Sequence, residues 1–330
     1  MRIIAKPFGE SKIPAHVEVS AEEAPAGTST VTMSRSAQRR EHLVRGFVRL
    51  PTTADLWARD FEAPFDLPSV YTATAYSADG AVLGRTTSEP VRLPPTGAGV
   101  IVVHDPLRPK HTVRLMLEEK ATTNGARELA VEKLDVHGRS APIASGALRR
   151  GWSGIAFDAV TFTDAQAEAF DAMLGGYDDD QSSGVLCIRP SGDVPVLVPR
   201  VFFASIARPT PEPYYPQQGR EEILWRLEAV EVQPPSPALV EPIVTWADWQ
   251  AWFEQNYGWL GFERAFPTWA AANRSLIPLG WADRPAPRYA SWADWEAWLR
   301  DHGGWPGFNE RFASWDEAMR AEEPIGWASR

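Results

Sequence analysis

Few residues in this chain have the type and spacing that catalysis asks for. The six histidines, His16, His42, His104, His111, His137 and His302, never pair at i+3 or i+4, so no zinc-protease helix is encoded. His104-Asp105 offers a base beside an orienting carboxylate. Asp105 precedes Pro106, however, and that order more simply ends a strand in a turn. Gly151-Trp152-Ser153-Gly154 holds half of a nucleophile elbow without the Gly-x-Ser-x-Gly frame. The most acidic run, Tyr177 to Gly184, could offer Asp178 and Asp180 to a calcium ion. It lacks the spaced ligands of an EF-hand loop and reads as a solvated turn. A single cysteine, Cys187, excludes an intrachain disulfide framework and a thiolate metal cluster, and its apolar neighbours make it a buried strand thiol. Phosphate-binding glycine motifs are missing. Paired carboxylates for glycoside hydrolysis have their spacing set by the fold, and nothing singles out a pair. The expectation is no catalytic residue, no metal and no cofactor.

Tryptophan carries the pattern instead. Twelve of the fifteen fall between Trp246 and Trp327. Residues 245–284 align without a gap onto 291–330, a shift of 46, with 19 of 40 positions identical. A finer period of 23 places Trp246, Trp269, Trp292 and Trp315 each after a Thr or Ser. Thr245, Thr268, Ser291 and Ser314 read as helix N-caps, with Asp248, Asp294 and Glu317 completing capping boxes. Four short helical units follow, each about ten residues and each marginal alone, so they must stack on a partner surface. Trp246, Trp249, Trp269, Trp292, Trp295 and Trp315 are expected in the repeat core. Trp259, Trp281, Trp305 and Trp327 fall after the helices among Gly and Pro. They are expected in exposed loops, gripping a partner protein or stacking on sugar rings.

These elements sit in a mainly β chain with an α-helical C-terminus. Residues 1–97 show short strands at 16–20, 28–34, 43–50, 69–76, 82–86 and 90–93. Asp79-Gly80 supplies a hairpin turn, and the whole suggests a β-sandwich. Residues 98–233 read as a second β-rich module, sandwich or barrel, with one helix capped by Thr163 and ended by Gly175-Gly176. Residues 234–244, rich in Pro, read as a stiff extended linker to the Trp-rich repeats at 245–330. Net charge of −10 disfavours nucleic acid as a partner. No 18-residue apolar run predicts a membrane span, and the first residues lack the apolar stretch of a secretory signal.

Three segments together resemble minor tail proteins of long, non-contractile-tailed phages of actinobacteria. Asp60-Phe-Glu-Ala-Pro through Tyr71-Thr-Ala resembles a strand of their fibronectin-III-like modules. His104-Asp-Pro-Leu-Arg-Pro109 resembles the opening of the following module, and Arg189-Pro190 through Trp225 to Pro235 its closing strands. Helices opening like Thr245-Trp-Ala-Asp-Trp249 also occur in such proteins, and the Arg-rich, Lys-poor composition fits a GC-rich host. The resemblance covers about residues 1–235. It implies a fibronectin-III-like sandwich and a structural component of the virion tail tip or baseplate, assembled in the host cytoplasm. The implied partners are other tail proteins and further copies of the chain in a ring, as a trimer or hexamer. A host cell-wall glycan adhesin is the alternative, and a tail-associated cell-wall hydrolase a lower one.

Overall fold

A computed structural model describes the chain apart from residues 11–12, 119–123, 135–136, 138–139, 141–142, 176–183, 192–193, 195, 197, 207, 215–220, 241, 257, 280–291, 313–317 and 319–330. At 128–134, 143–150, 260 and 292–293 it describes the backbone alone. The fold is mainly β, with helices concentrated in the C-terminal part. Two compact units divide it, Met1–Ile243 and Val244–Arg330.

The first unit opens with nine strands: β1 (Arg2–Phe8), β2 (His16–Glu22), β3 (Thr30–Ala37), β4 (Arg40–Leu43), β5 (Leu50–Pro51), β6 (Trp57–Asp60), β7 (Pro68–Tyr76), β8 (Val82–Thr87) and β9 (Val91–Arg92). One sheet has the order β1-β2-β6 and the other β4-β3-β7-β8, with β5 on β3 and β9 on β7. Alternate residues face a shared core, with Val17, Val19 and Ala21 from one sheet and Val31, Met33, Tyr71 and Ala73 from the other. The hairpin expected at Asp79-Gly80 forms, with Gly80 at φ 88° and Ser77 N–H donating to Ala81 O. The strand expected over 43–50 does not. Gly46 (φ 76°) and Arg49 (φ 53°) bend the chain there, and Val44 and Phe47 reach the core from a loop.

Next come β10 (Val100–His104), β11 (Thr112–Leu117), a hairpin of β12 (Ala126–Leu134) and β13 (Ile143–Ser153), β14 (Ile155–Ala156), β15 (Ala159–Thr161), α1 (Asp164–Met173), β16 (Leu186–Pro190), β17 (Phe202–Ile206), β18 (Thr210–Pro213), β19 (Ile223–Arg226) and β20 (Glu228–Glu231). Pairings at Ile155↔Ala229, Ala159↔Trp225 and Thr161↔Ile223 hold one register, and Phe157 N–H donates to Leu227 O between them. Thus β14 with β15, and β19 with β20, are two bent staves of a single ladder. β15 also pairs β11, and β20 also pairs β17, so the circuit β11-β10-β16-β17 closes into a six-staved barrel. Its interior takes every second residue, among them Ile101, Val103, Val113, Leu115, Phe157, Ile188, Phe202 and Leu227. Helix α1 adds Ala167, Phe170 and Met173. Thr163 caps α1 by accepting from Gln166 N–H, as its sequence predicts.

Sandwich and barrel are locked together. Val102 of the barrel belongs to the sandwich core. Arg189 of β16 donates to Ala15 O and Ala63 O of the sandwich, each at 3.1 Å. The Pro-rich segment expected as a spacer is instead a strap on the sandwich. Arg45 donates to the carbonyls of Pro235, Ser236 and Leu239, and Gly46 N–H donates to Pro237 O. Proline lacks a donor but keeps its carbonyl, so a Pro-rich strand can still be held by arginine.

The second unit contains α2 (Trp246–Gln255), α3 (Gly258–Ala265), α4 (Trp269–Arg274), α5 (Trp292–Asp301) and α6 (Gly304–Arg311). The expectation of one helix per 23 residues gives way to two helices in the opening 23 residues of each repeat, with α4 following in the first. Gly258 (φ 60°) and Gly304 (φ 72°) do not end the helical region; they reverse the chain and begin α3 and α6. Trp249, Trp252, Phe262, Phe266 and Ala272 form one core, flanked by Phe253. Trp295, Trp298, Leu299, Phe308, Phe312 and Ala318 form the other, and every member is shifted by 46. Among the described residues, each core cluster is drawn from a single 46-residue repeat. Burying a ring of this size contributes about 2–3 kcal/mol, which is how so short a segment meets its ordering cost.

Candidate functional site

The residues with chemical potential are used structurally. His104 ends β10 fully buried, with both ring nitrogens lacking a hydrogen-bond partner. Burial and the Arg189 charge push its pKa well below the usual histidine value, so it stays neutral and is no base for solvent chemistry. Asp105 caps the turn, accepting from Leu107 N–H at 2.9 Å and from Arg108 Nε at 3.3 Å. Ser153 ends β13 and Gly154 links it to β14, a strand-to-strand turn where an elbow would need a helix. Cys187 is buried in β16, where burial raises its thiol pKa. No group of three His, Cys, Asp or Glu among the described residues is placed to hold a metal ion. Asp178 and Asp180 lie outside the described residues.

Asp60 is the centre of a buried polar hub. It accepts from Arg35 Nη1 at 2.7 and 2.6 Å, from Tyr71 Oη at 2.9 Å and from Glu62 N–H at 3.0 Å. Glu62 accepts from Arg45 Nε at 2.8 Å, and the next residue, Ala63, supplies the carbonyl for Arg189. Burial, then the neighbouring carboxylate, raises the Tyr71 pKa well above its usual value and keeps the hydroxyl a donor. Asp60 and Tyr71 thus tie the sandwich together, Ala63 joins it to the barrel, and Glu62 orients the Arg45 that holds the strap. Sequence reasoning missed the arginines because Arg reads as a surface residue. For Arg189 the available sign was its position inside an otherwise apolar strand; Arg35 stands among Ser and Thr and carried no such sign.

Exposed chemistry gathers on the first repeat. Trp246, Trp259 and Trp269 are 64%, 61% and 46% exposed. Phe253, half-buried, lies 4.9 Å from the Trp259 ring and 6.5 Å from Trp246. Trp269 stands edge-on to Phe262 at 4.6 Å and lies 6.2 Å from Trp259 at 71°. The result is an aromatic ledge seated on the core. In the second repeat Trp305 is 53% exposed and meets Phe308 at 5.4 Å and 69°. That matches Trp259 on Phe262, at 5.6 Å and 73°.

Two expectations are corrected here. Trp246 and Trp269 are not core residues, whereas Trp249 and Trp295 are buried as expected. Trp259 and Trp305 are exposed, but in helices α3 and α6 rather than in loops. One physical reason covers all four exposed rings. Each is the first or second residue of its helix, and Cα–Cβ bonds tilt toward the helix N-terminus, so the side chain overhangs the end. Trp249, Trp252, Trp295 and Trp298 come a turn or more later and point into the core. Pro306 fits the first turn of α6, where no intrahelical donor is needed. Thr245 and Asp248 form the expected capping box, and Thr268 caps α4. Trp281, Trp315 and Trp327, the side chain of Trp292, and the caps Ser291 and Ser314 lie outside the described residues.

Compared with known proteins, the chain matches no family model, no curated protein and no solved structure. No helix among the described residues is long and apolar enough to cross a membrane.

Proposed function

We propose that the chain is a non-enzymatic structural protein of a virion, a tail-tip or baseplate component of a long, non-contractile-tailed phage of actinobacteria. The observation that carries this reading is the Asp60 hub. Asp60 and Tyr71, which carry part of the tail-protein resemblance, tie the strands of the sandwich together, and Arg189, which carries another part, fastens the barrel to Ala63, as a building block requires. The strand orders β1-β2-β6 and β4-β3-β7-β8 support a fibronectin-III-like sandwich. In this reading the β unit forms the ring with further copies of the chain and with neighbouring tail proteins in the virion. The Trp repeats are its docking part.

Light scattering with size-exclusion chromatography on the full chain and on Met1–Ile243 tests the ring. The same defined oligomer is expected from both, and a monomer from both sinks the ring. Zymography on actinobacterial cell walls tests the absence of catalysis; clearing by the full chain would overturn it. A second reading, a host cell-wall glycan adhesin, is favoured by one observation, the exposed first-turn tryptophans of both repeats.

A further inference from the structure

The two repeats record which positions tolerate change. Six of the nineteen identical pairs have a visible packing reason. Trp249/Trp295, Trp252/Trp298, Phe262/Phe308, Phe266/Phe312 and Ala272/Ala318 are core. A Cβ on Gly261 would fall on Asn256 O, and one on Gly307 on His302 O. Even a changed pair conserves its role: the side chains of Asn256 and His302 both reach the carbonyl four residues back, at 2.8 Å.

Exposed polar positions on the same helices have drifted, twice with reversal of charge, Glu254 to Arg300 and Arg264 to Glu310. The tryptophans at 246, 259 and 269 are nevertheless repeated at 292, 305 and 315. Exposed side chains outside special features tolerate substitution at little cost in stability. Three rings that stand in water in the first repeat recur in the second, where Trp305 is again exposed, while exposed charges on the same helices invert; this points to a ligand that touches the rings and is indifferent to charge. Pyranose rings meet both conditions. Their C–H faces carry partial positive charge and stack on the electron-rich indole face, and an uncharged sugar ignores Glu254 or Arg300. Trp259 and Trp269, at 71°, form a corner in which a sugar stacked on one ring meets the edge of the other. Two such units in tandem suit a ligand that itself repeats, because the second contact becomes intramolecular.

We infer that each 46-residue repeat is a binding unit for an uncharged polysaccharide. Trp246, Trp259 and Trp269 are the sugar-facing rings of the first repeat, and Trp305 occupies the matching place in the second. This rests on reading the repeats as docking devices and is independent of the ring.

The test is affinity electrophoresis of the full chain through gels carrying arabinogalactan, galactomannan or β-glucan, with polygalacturonate and chitosan as charged controls. Retardation by at least one neutral polysaccharide is expected, unchanged between low and high salt. Trp259→Ala should weaken it by about a hundredfold through lost bivalency. Trp259→Ala with Trp305→Ala should abolish it, with far-ultraviolet circular dichroism unchanged. Trp246→Ala, at the most exposed ring, is the second variant should Trp259→Ala disturb the helices. Four results overturn the inference: no retardation by any neutral polysaccharide, retardation by the charged polymers alone, retardation that survives the double variant, or an oligomer that the double variant dissolves. The last would make a second copy of the chain the occupant. Light scattering on Met1–Ile243 reads the ring without these rings, so the two readings fail separately.

Discussion

The β unit hides its charges, and the helical unit shows its aromatics. Arg35, Asp60, Glu62 and Arg189 are buried in Met1–Ile243, while Trp246, Trp259, Trp269 and Trp305 stand in solvent in Val244–Arg330. Each choice opposes ordinary partitioning, so each calls for a local reason. For the charges the reason is visible as hydrogen bonds that tie the sandwich together at Asp60 and fasten it to the barrel at Arg189. The tryptophans rest on neighbouring rings yet stay 46% to 64% exposed, so much of their apolar surface is left for a contact. Buried charge here makes a joint, and exposed aromatic surface makes a contact.

Breaking the joint should have the largest effect. Asp60→Ala strands Arg35 and leaves Tyr71 Oη and Glu62 N–H without their acceptor, at a cost of about 3–5 kcal/mol. Urea unfolding followed at the β-sheet circular-dichroism band should show that loss with the helical transition unmoved. A loss of only a few tenths of a kcal/mol would mean the hub is solvated like a surface pair.

Trp295→Ala, a large-to-small change in the second repeat's core, should cost about 3–5 kcal/mol and unfold that repeat alone. Indole N–H resonances report the outcome. Joint loss of the Trp249 and Trp252 signals would show that the two repeats do not hold their cores separately.

Acid should separate the two regions further. Burial, then Arg35 and Arg40, pushes the His42 pKa down to about 4. The unfolded value is about 6.5. Between these limits the unfolded chain binds a proton that the folded chain rejects, so β-unit stability is full above the upper limit and declines as pH falls through the window. His104, also lowered by its burial, adds to the same trend. His42→Gln should flatten the slope of the urea midpoint against pH, and an unchanged slope would assign it to other groups.

The smallest effect is at a helix end. Thr245→Ala removes one side of the capping box on α2 and should cost the first repeat about 1 kcal/mol, read as a shift of its helical melting transition. A shift in the second repeat would show coupling between them.

Local order was legible along the chain. The 46-residue period, the caps at Thr163, Thr245 and Thr268, and the turn at Asp79-Gly80 all follow from short-range hydrogen bonding and backbone preference. The exposed tryptophans were legible too, had the helix starts been used to aim the side chains; the Gly and Pro before them read as stops. What the sequence by itself determined was the elements, the repeat and the mainly β character with a helical end. The tertiary structure alone decided three things: that residues 155–161 find 223–229 and close a barrel, that Arg35 and Arg189 go inside, and that the Pro-rich segment lies on Arg45. Each depends on groups tens to hundreds of residues apart, and no local pattern encodes a partner at that distance. A buried arginine is tolerable only once its acceptors have been folded into place around it.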